Sequence, residues 1–330
     1  MDPSVGIIVP YFGLFPKSYK YWFNSAVLND SIDFHIVTDQ DVSALGTQNI
    51  FIHRMSFEEL QTLAENKLGV IKKFTPYKLC DFKPAYGELF SSIVENYDFW
   101  GHCDIDMVLG DLRGEANKGG LLQKYDKVFD LGHLSLYRNT SQVNQIYKAC
   151  FKGIDFWPYI RDSQVIWVFD EAYGYGMGGV NARIDIAGMR LFSSRSMFSD
   201  VDPGFEGFFD IHNSPGYPSF FSFNKKCLIR HTLIDGEVFS SNLVYAHFQK
   251  RSFKVKIFSD GMGVIVPCCW GEVISVEEAE LCLKEMEGND FKVRPFYKKW
   301  KIARSRRKKW LVLKELFRSP SSIRFVQSVL

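Results

Sequence analysis

Short apolar runs recur along the first third of the chain, and each one gives way to polar residues. Their length and their content of Val, Ile and Phe favour buried β-strands. The predicted strands are Gly6–Tyr11, Asp33–Asp39, Asn49–Arg54 and Tyr97–Cys103.

Segments whose apolar residues recur at helical spacing separate these runs. The pattern of Ser56 and Glu59 is that of a capping box, which marks the start of a helix. The predicted helices are Pro16–Asp30, the capped helix up to about Asn66, and Pro84–Asn96. This alternation predicts an α/β fold, with a mainly parallel sheet flanked by helices on both faces.

Polar residues follow three of the predicted strands at the point where each strand ends. These strand ends are Pro10-Tyr11, Thr38-Asp39 and the run from Asp104 to Asp106. Ligands of parallel sheets bind beyond the carboxyl ends of the strands. One crevice is therefore expected to collect all three.

Asp104 and Asp106 are the main candidates for metal ligands. In an extended segment residues i and i+2 point to the same side, so both carboxylates can face one cation. Oxygen ligands of this kind suit Mg²⁺ or Mn²⁺, which often bridge carboxylates to substrate phosphates. His102, two residues before Asp104, is predicted to project to the same face. The alternative is a surface turn that happens to carry two acids.

Two large enzyme classes lack their expected motifs here. No Gly-x-Gly-x-x-Gly follows the first strand, and no Lys-Ser/Thr follows the glycine-rich run from Gly174 to Gly179. These absences argue against a Rossmann dehydrogenase and a P-loop NTPase.

Composition favours a well-packed globular protein. The chain has 330 residues, of which 46% are hydrophobic and 16% aromatic, enough for one large α/β domain with an appendage or for two domains. No apolar run reaches the roughly 18 residues of a membrane span, and the N-terminal residues do not resemble a secretory signal. Seven Cys without a Cys-x-x-Cys pair suggest reduced thiols and a cytoplasmic location.

Charge is concentrated at the C-terminus, where residues 294–330 contain twelve Lys or Arg and a single acid, Glu315. Within 294–318 these cations alternate with aromatic and aliphatic residues. This pattern predicts a basic amphipathic helix on an anionic membrane surface, which would make the protein peripheral on the inner face of the cell membrane. The alternatives are a solvated tail or, less favoured, an arm that binds nucleic acid.

The order of several motifs resembles that of glycosyltransferases with the GT-A (Rossmann-like) fold, especially bacterial enzymes of capsule and O-antigen assembly. The resemblance spans about residues 5–255. It rests on Ile8-Val-Pro-Tyr-Phe-Gly13, Ile36-Val-Thr-Asp39, Tyr77-Lys-Leu-Cys-Asp-Phe-Lys-Pro84, Asp104-Ile-Asp106, Phe169-Asp-Glu171 and Tyr245-Ala-His-Phe-Gln-Lys-Arg251. It implies a nucleotide-diphosphate sugar donor (UDP-sugar favoured), Mn²⁺ or Mg²⁺, and a saccharide or lipid-linked acceptor.

The resemblance also implies a third metal ligand, His247, because related enzymes end their catalytic domain with a metal-binding histidine. Lys250 and Arg251 would then contact the donor phosphates. The alternatives are an ordinary core or surface histidine at 247 and solvated charges at 250 and 251.

Donor recognition is predicted at the strand ends and in the segment 77–86. Pro10 and Tyr11 would flank the base, and Asp39 would accept hydrogen bonds from the base or the ribose. The resemblance points to the 77–86 segment as a donor-binding element, and its charged candidates are Lys78, Asp81 and Lys83. An ordinary charged helix start is the alternative for this segment.

Asp170 and Glu171 are the candidate catalytic residues, since they follow the apolar run Val165–Phe169. Either acid could deprotonate an acceptor hydroxyl. In a retaining enzyme the same position would instead line the sugar. The alternative is an acidic pair favoured by the dipole at a helix N-terminus.

The predicted organisation is a GT-A catalytic domain over 1–255, a C-terminal extension over 256–293 and the basic tail over 294–330. Residues 1–130 would form the nucleotide-sugar half and 131–255 the acceptor half. The region 195–240 is rich in Phe, Gly, Ser and Pro and is predicted to form irregular acceptor loops. A strand over Gly263–Pro267 and a helix over Val276–Glu287 are predicted beyond it.

Two rival functions remain: a catalytically degenerate, membrane-associated carbohydrate-binding protein, and a phosphotransferase whose metal site uses Asp-x-Asp. A phosphotransferase of the haloacid dehalogenase type would carry the motif after its first strand. Here the motif follows the fourth predicted strand.

Overall fold

A computed structural model describes residues 2–72, 74–171, 177–249, 251–259 and 261–285. The strands are β1 (Val5–Pro10), β2 (Asp33–Thr38), β3 (Ile50–Arg54), β4 (Phe99–Cys103), β5 (Met107–Leu109), β6 (Lys127–Val128), β7 (Leu134–Arg138), β8 (Leu191–Phe192), β9 (Phe198–Asp200), β10 (Phe208–Phe209), β11 (Pro218–Asn224), β12 (Cys227–Ile234), β13 (Glu237–Leu243), β14 (Tyr245–His247), β15 (Phe253–Ile257) and β16 (Met262–Pro267).

The α-helices are α1 (Tyr19–Leu28), α2 (Phe57–Leu68), α3 (Leu79–Phe82), α4 (Tyr86–Leu89), α5 (Ser91–Val94), α6 (Leu112–Asn117), α7 (Leu121–Lys124), α8 (Ser141–Asn144), α9 (Trp157–Asp162), α10 (Val180–Ile186) and α11 (Val276–Glu285). Short 3₁₀ turns occupy Ser43–Leu45, Pro76–Lys78, Lys83–Ala85, Ile146–Lys148 and Arg195–Met197. Among the residues described, no helix is both long enough and apolar enough to cross a membrane.

The main sheet has seven strands in the order β3-β2-β1-β4-β7-β6-β8. Its first four strands are parallel neighbours, as the sequence predicts. β7 runs antiparallel to both β4 and β6, so the complete sheet is mixed. The carboxyl ends of β1, β2 and β4 therefore meet at one edge.

Helix α2 begins at the predicted capping box. The Glu59 backbone N–H donates to the Ser56 hydroxyl at 3.1 Å, and the Ser56 N–H donates to the Glu59 carboxylate at 2.7 Å. The helix ends at Gly69, whose φ of 86° is accessible to a residue without Cβ. Leu60, Ala64 and Leu68 bury one face in the core.

The single helix predicted over Pro84–Asn96 is wrong. A 3₁₀ turn, α4 and α5 occupy this segment, with a break at Phe90 (φ −106°, ψ 32°). Gly87 lies against β4, where an added Cβ would come within 2.5 Å of Trp100 Nε1. Tertiary packing overrides the helical pattern here, because the broken path buries Leu89 and Phe90 in the core.

The prediction of irregular loops over 195–240 is wrong from Pro218 onward, whereas residues 201–217 are mostly turns and bends around the short strand β10. β11, β12 and β13 form an antiparallel meander, and β16 and β15 extend the sheet on the other side of β11. Asp235 (φ 49°) and Gly236 (φ 82°) form the turn between β12 and β13, a position that favours Asp and Gly. The Phe, Ile and Thr residues of this region are strand formers.

Helix α11 packs on this second sheet through Ala279 and Leu283. Residues 253–267 thus belong to the same sheet as 218–243, and the predicted boundary at residue 255 lies within β15. The division into domains stays a prediction.

A third sheet contains three short strands from distant parts of the chain, in the order β5-β14-β9. β14 pairs antiparallel with β5 and parallel with β9. This small sheet joins the end of the Asp-x-Asp segment to the return of the chain near residue 247.

Candidate functional site

The three-stranded sheet fixes the positions of three polar side chains. In its register His247 lies opposite Met107 of β5 and opposite Asp200 of β9. The Phe248 N–H also donates to the Asp106 carbonyl at 2.8 Å. Asp106, His247 and Asp200 therefore meet at one end of the sheet.

Asp104, Asp106 and His247 form a candidate metal centre. Each offers one ligand atom, and these atoms lie within 4.8 Å of one another. His247 Nε2 is 3.4 Å from an Asp106 carboxylate oxygen. The Asp104 backbone N–H donates to the His133 carbonyl at 2.9 Å, which holds the turn after β4 in place. Two carboxylates and an imidazole fit Mn²⁺ well, and Mg²⁺ through the oxygens.

His247 lies between two acids. Burial lowers its pKa, but hydrogen bonds and charges from Asp106 and Asp200 outweigh burial and raise the pKa to about 10. Without a cation the ring is therefore an imidazolium. A bound divalent cation requires the neutral ring, so binding would release a proton.

Asp200 was missed by the sequence analysis. Its carboxylate contacts His247 Nδ1 at 2.8 Å and accepts a hydrogen bond from Gln249 at 2.9 Å. It lies in the region predicted to be loops, although the short run Phe198-Ser-Asp200 repeats the pattern of an acid at a strand end. An acid at the end of a short apolar run was therefore the only sequence signal that could have identified Asp200.

Lys83 connects the metal candidates to the protein interior. Its ammonium donates to Asp104 at 2.8 Å and to the Gly132 carbonyl at 2.6 Å, and lies 3.4 Å from Asp170. Burial lowers the pKa of Lys83, but the charges of Asp104 and Asp170 outweigh it and hold the pKa above its usual value. Lys83 is therefore a buried positive charge beside the candidate metal centre.

Asp170 and Glu171 lie behind Lys83 and do not line the cavity. Burial, opposed mainly by Lys83, raises the pKa of Asp170 to about 7. Burial also raises the pKa of Glu171, whose carboxylate accepts a hydrogen bond from the Gly132 N–H at 3.2 Å. Asp170 reaches the site through Lys83.

Lys78 and Asp81 have a structural role in place of the predicted donor contact. The two side chains are almost fully buried and pair at 2.7 Å. Lys78 also donates to the Val165 carbonyl, and Asp81 accepts from the backbone N–H groups of Trp167 and Phe169. The pair holds the irregular run Val165–Phe169, which precedes Asp170.

A cavity of about 1160 Å³ opens at this edge of the main sheet. Its lining combines the ends of β1 and β4 with the segment after β14 and includes Pro10, Tyr11, Tyr77, Cys80, Lys83, Tyr86, His102, Asp104, Asp106, Pro203, His247, Gln249, Arg251 and Cys268. The ring of Tyr11 stacks on Phe15, with centroids 4.9 Å apart. Asp39 is adjacent, since its carboxylate accepts from the Gly13 N–H at 3.0 Å.

Arg251 shapes the cavity wall. Its guanidinium donates to the carbonyls of Asp202, Phe205, Glu206 and Gly207, so it fixes a loop of the cavity wall. Its predicted contact with donor phosphates stays a prediction. Lys250 lies outside the described residues, as do residues 172–176 and the basic tail 294–330.

His102 lines the cavity from a fully buried position. Within the described part of the chain, neither of its ring nitrogens has a hydrogen-bond partner. Burial lowers the pKa of His102 far below its usual value, so the ring is neutral.

A family model described as "Family of unknown function (DUF6625)" matches residues 7–268, so the chain belongs to that family. No curated protein matches the chain.

Among solved structures, the chain is similar to mouse xyloside xylosyltransferase 1 in its apo form, with 8% identity and a TM-score of 0.35. That alignment covers 62% of this chain and 89% of that one. It is also similar to the mannosyltransferase Ktr4p from S. cerevisiae, with 10% identity, a TM-score of 0.24 and 39% of each chain covered. Both likenesses are too distant to identify a function.

Proposed function

We propose that this protein is a metal-dependent glycosyltransferase of the GT-A type. It moves a sugar from a nucleotide-diphosphate sugar, with UDP-sugars favoured, to a saccharide or lipid-linked oligosaccharide in bacterial surface polysaccharide synthesis. The observation that carries the proposal is the convergence of Asp104, Asp106 and His247 at the rim of one large cavity.

In this proposal the three side chains hold Mn²⁺ or Mg²⁺. The cation, when bound, neutralises the charge that develops on the departing nucleoside diphosphate. The ammonium of Lys83, 2.8 Å from Asp104, adds a fixed positive charge beside the same phosphates. Because this charge is buried and already positioned, it needs little reorganisation during the reaction.

The shape of the cavity supports a donor and an acceptor bound together. Small-molecule sites commonly enclose about 300–1,000 Å³, and this cavity has about 1160 Å³. Pro10 and Tyr11 form an apolar, aromatic wall at the end of β1, suited to a nucleobase. Asp39 lies beside that wall and contributes an acceptor for a ribose O–H or a base N–H.

In this proposal Asp170 and Glu171 position Lys83 and do not act as the catalytic base. Asp170 lies against Lys83, and Glu171 holds the Gly132 backbone that also contacts Lys83. Both acids therefore set the position and charge of Lys83 next to the leaving group.

The proposal is tested with the purified full chain and a panel of nucleotide sugars in the presence of Mn²⁺ or Mg²⁺, with donor hydrolysis and transfer as readouts. Asp106→Asn should lower metal-dependent turnover by about 100-fold or more, the order of effect seen when one group that stabilises transition-state charge is lost. The matched control is Asp41→Asn, which changes an exposed acid that lies 4.0 Å from Arg54 and should keep wild-type activity.

The proposal fails if no UDP-, GDP-, CMP- or TDP-sugar binds or turns over with either cation. Full activity of Asp106→Asn would refute the metal assignment while leaving sugar transfer open to another mechanism.

A further inference from the structure

Asp200 lies on the side of His247 that faces away from Asp104 and Asp106. The geometry points to Asp200 as a positioning residue, which fixes the tautomer and orientation of His247 so that Nε2 faces the cation. This inference rests on the proposed metal site and adds a residue that the sequence motifs do not mark.

The contacts divide the two ring nitrogens of His247 between two tasks. Nδ1 lies 2.8 Å from an Asp200 oxygen, whereas Nε2 lies 3.4 Å from Asp106. A hydrogen bond from Nδ1–H to a carboxylate leaves the lone pair of the neutral ring on Nε2. The nitrogen available to a cation is therefore the one that faces Asp106.

The carboxylate of Asp200 is itself held in place. The same oxygen accepts from Gln249 at 2.9 Å, and the other oxygen lies 3.7 Å from His212 Nε2. Asp200 is only 7% exposed. Its backbone is paired with that of His247 in adjacent strands, so the strand register fixes where both side chains start.

The ring of His133 completes the support. It stacks on His247 with centroids 4.3 Å apart and planes 19° from parallel. The stack restricts tilting of the imidazole, and Asp200 restricts its rotation. Contacts on the face of the His247 ring, from His133, and on its edge, from Asp200, thus fix its orientation.

His133, Asp200 and His247 also place ligand atoms within 4.8 Å of one another and are a competing candidate for the metal centre. Two observations favour the positioning role. The lone pairs of nearly parallel rings run side by side and do not converge on one ion. A cation bound to Nδ1 would also have to replace the 2.8 Å contact between His247 and Asp200.

Partners that orient a metal-binding histidine typically change metal affinity by about 10–100-fold when they are removed. We therefore expect Asp200→Ala to raise the Kd for Mn²⁺ by about that factor. Asp200→Asn retains an acceptor for Nδ1–H without the charge and should show a smaller loss. The melting temperature of each variant checks that the fold is retained.

The experiment titrates Mn²⁺ into the full chain without donor and measures free Mn²⁺ by electron paramagnetic resonance. Asp41→Asn is the control and should match wild type in Mn²⁺ affinity.

His133→Phe separates the two candidate sites, because Phe keeps the stacked ring but has no ligand atom. Under the positioning role this variant keeps the Mn²⁺ affinity of wild type, because Phe retains the stacked ring that restricts tilting of His247. Loss of binding in His133→Phe, with Asp104→Asn unaffected, would overturn the inference and move the metal site.

The outcomes separate this inference from the proposed function. If wild type binds Mn²⁺ and Asp104→Asn does not, but Asp200→Ala and Asp200→Asn bind as wild type, only the role of Asp200 is lost. A wild-type chain that binds no Mn²⁺ removes the metal site and this inference together.

Discussion

At the scale of single residues, the site is a set of charged side chains held at short distances and largely buried from solvent. Lys83 lies between two acids, 2.8 Å from Asp104 and 3.4 Å from Asp170. Of these two acids, Asp104 lines the cavity and Asp170 does not, so Asp170 affects the site through the charge of Lys83. The titration of Asp170 can be followed through folding stability, without a substrate.

Asp170 should make folding stability depend on pH. Burial raises its pKa from 3.8 to about 7 in the folded protein, so the folded state holds this proton more tightly than the unfolded state does. The stabilisation is complete below the unfolded pKa and is lost as pH rises through the folded pKa. Compared with Asp170→Asn, wild type should lose free energy of unfolding between about pH 4 and about pH 7.

Urea unfolding of wild type and Asp170→Asn at several pH values measures this difference, since other titrating groups are common to both proteins. Asp126→Asn, which changes a carboxylate that is not buried beside Lys83, serves as the control. A gap between wild type and Asp170→Asn that does not vary with pH would contradict the assignment.

At the scale of elements, buried polar pairs decide which segments reach the cavity. The Lys78–Asp81 pair connects the end of a 3₁₀ turn and α3 to the backbone before Asp170. The sequence analysis predicted that Lys78, Asp81 and Lys83 all bind the donor. In the structure Lys83 lines the cavity, whereas Lys78 and Asp81 form a buried pair behind the cavity wall.

Breaking this buried pair should destabilise the protein strongly. Lys78→Met leaves Asp81 charged and almost fully buried without its cation, a change that typically costs about 3–5 kcal/mol. Chemical denaturation measures the loss. The control is Lys118→Met, which removes an exposed partner of Glu115 and should cost less than about 1 kcal/mol. Equal losses for the two variants would show that the buried pair is not structural.

Two elements show where the local sequence pattern predicts a helix correctly and where it does not. The predicted capping box at Ser56 and Glu59 is present because both of its hydrogen bonds form within one turn of chain. The helix predicted over Pro84–Asn96 is broken at Phe90, where the change of direction buries Leu89 and Phe90 in the core. That constraint comes from a tertiary contact and leaves no local pattern.

At the scale of the whole molecule, the sequence predicts that the protein binds an anionic membrane surface in addition to the ligands of its cavity. Residues 294–318, outside the described residues, carry the basic amphipathic pattern. Each Lys or Arg near an anionic surface contributes about 1 kcal/mol of binding free energy. The proposed location is peripheral on the inner face of the cell membrane.

Deleting residues 294–330 should release the protein from anionic lipid vesicles in a sedimentation assay, while transfer to a soluble acceptor is preserved. A full-length variant with the tail lysines replaced by arginine keeps the charge and should still sediment. Unchanged sedimentation of the truncated chain would contradict the role of the tail, and loss of folding would show that the tail is part of the core.

The sequence by itself determined the parallel strands β1 to β4, the start of α2 and the presence of acids at a strand end, because each of these follows from neighbouring residues and their periodicity. It pointed to His247 only through a resemblance, and it missed Asp200. Only the tertiary structure brings these two residues to Asp106, because the register of β14 between β5 and β9 joins segments far apart in the chain. Long-range pairing of this kind is fixed by the packing of the whole fold.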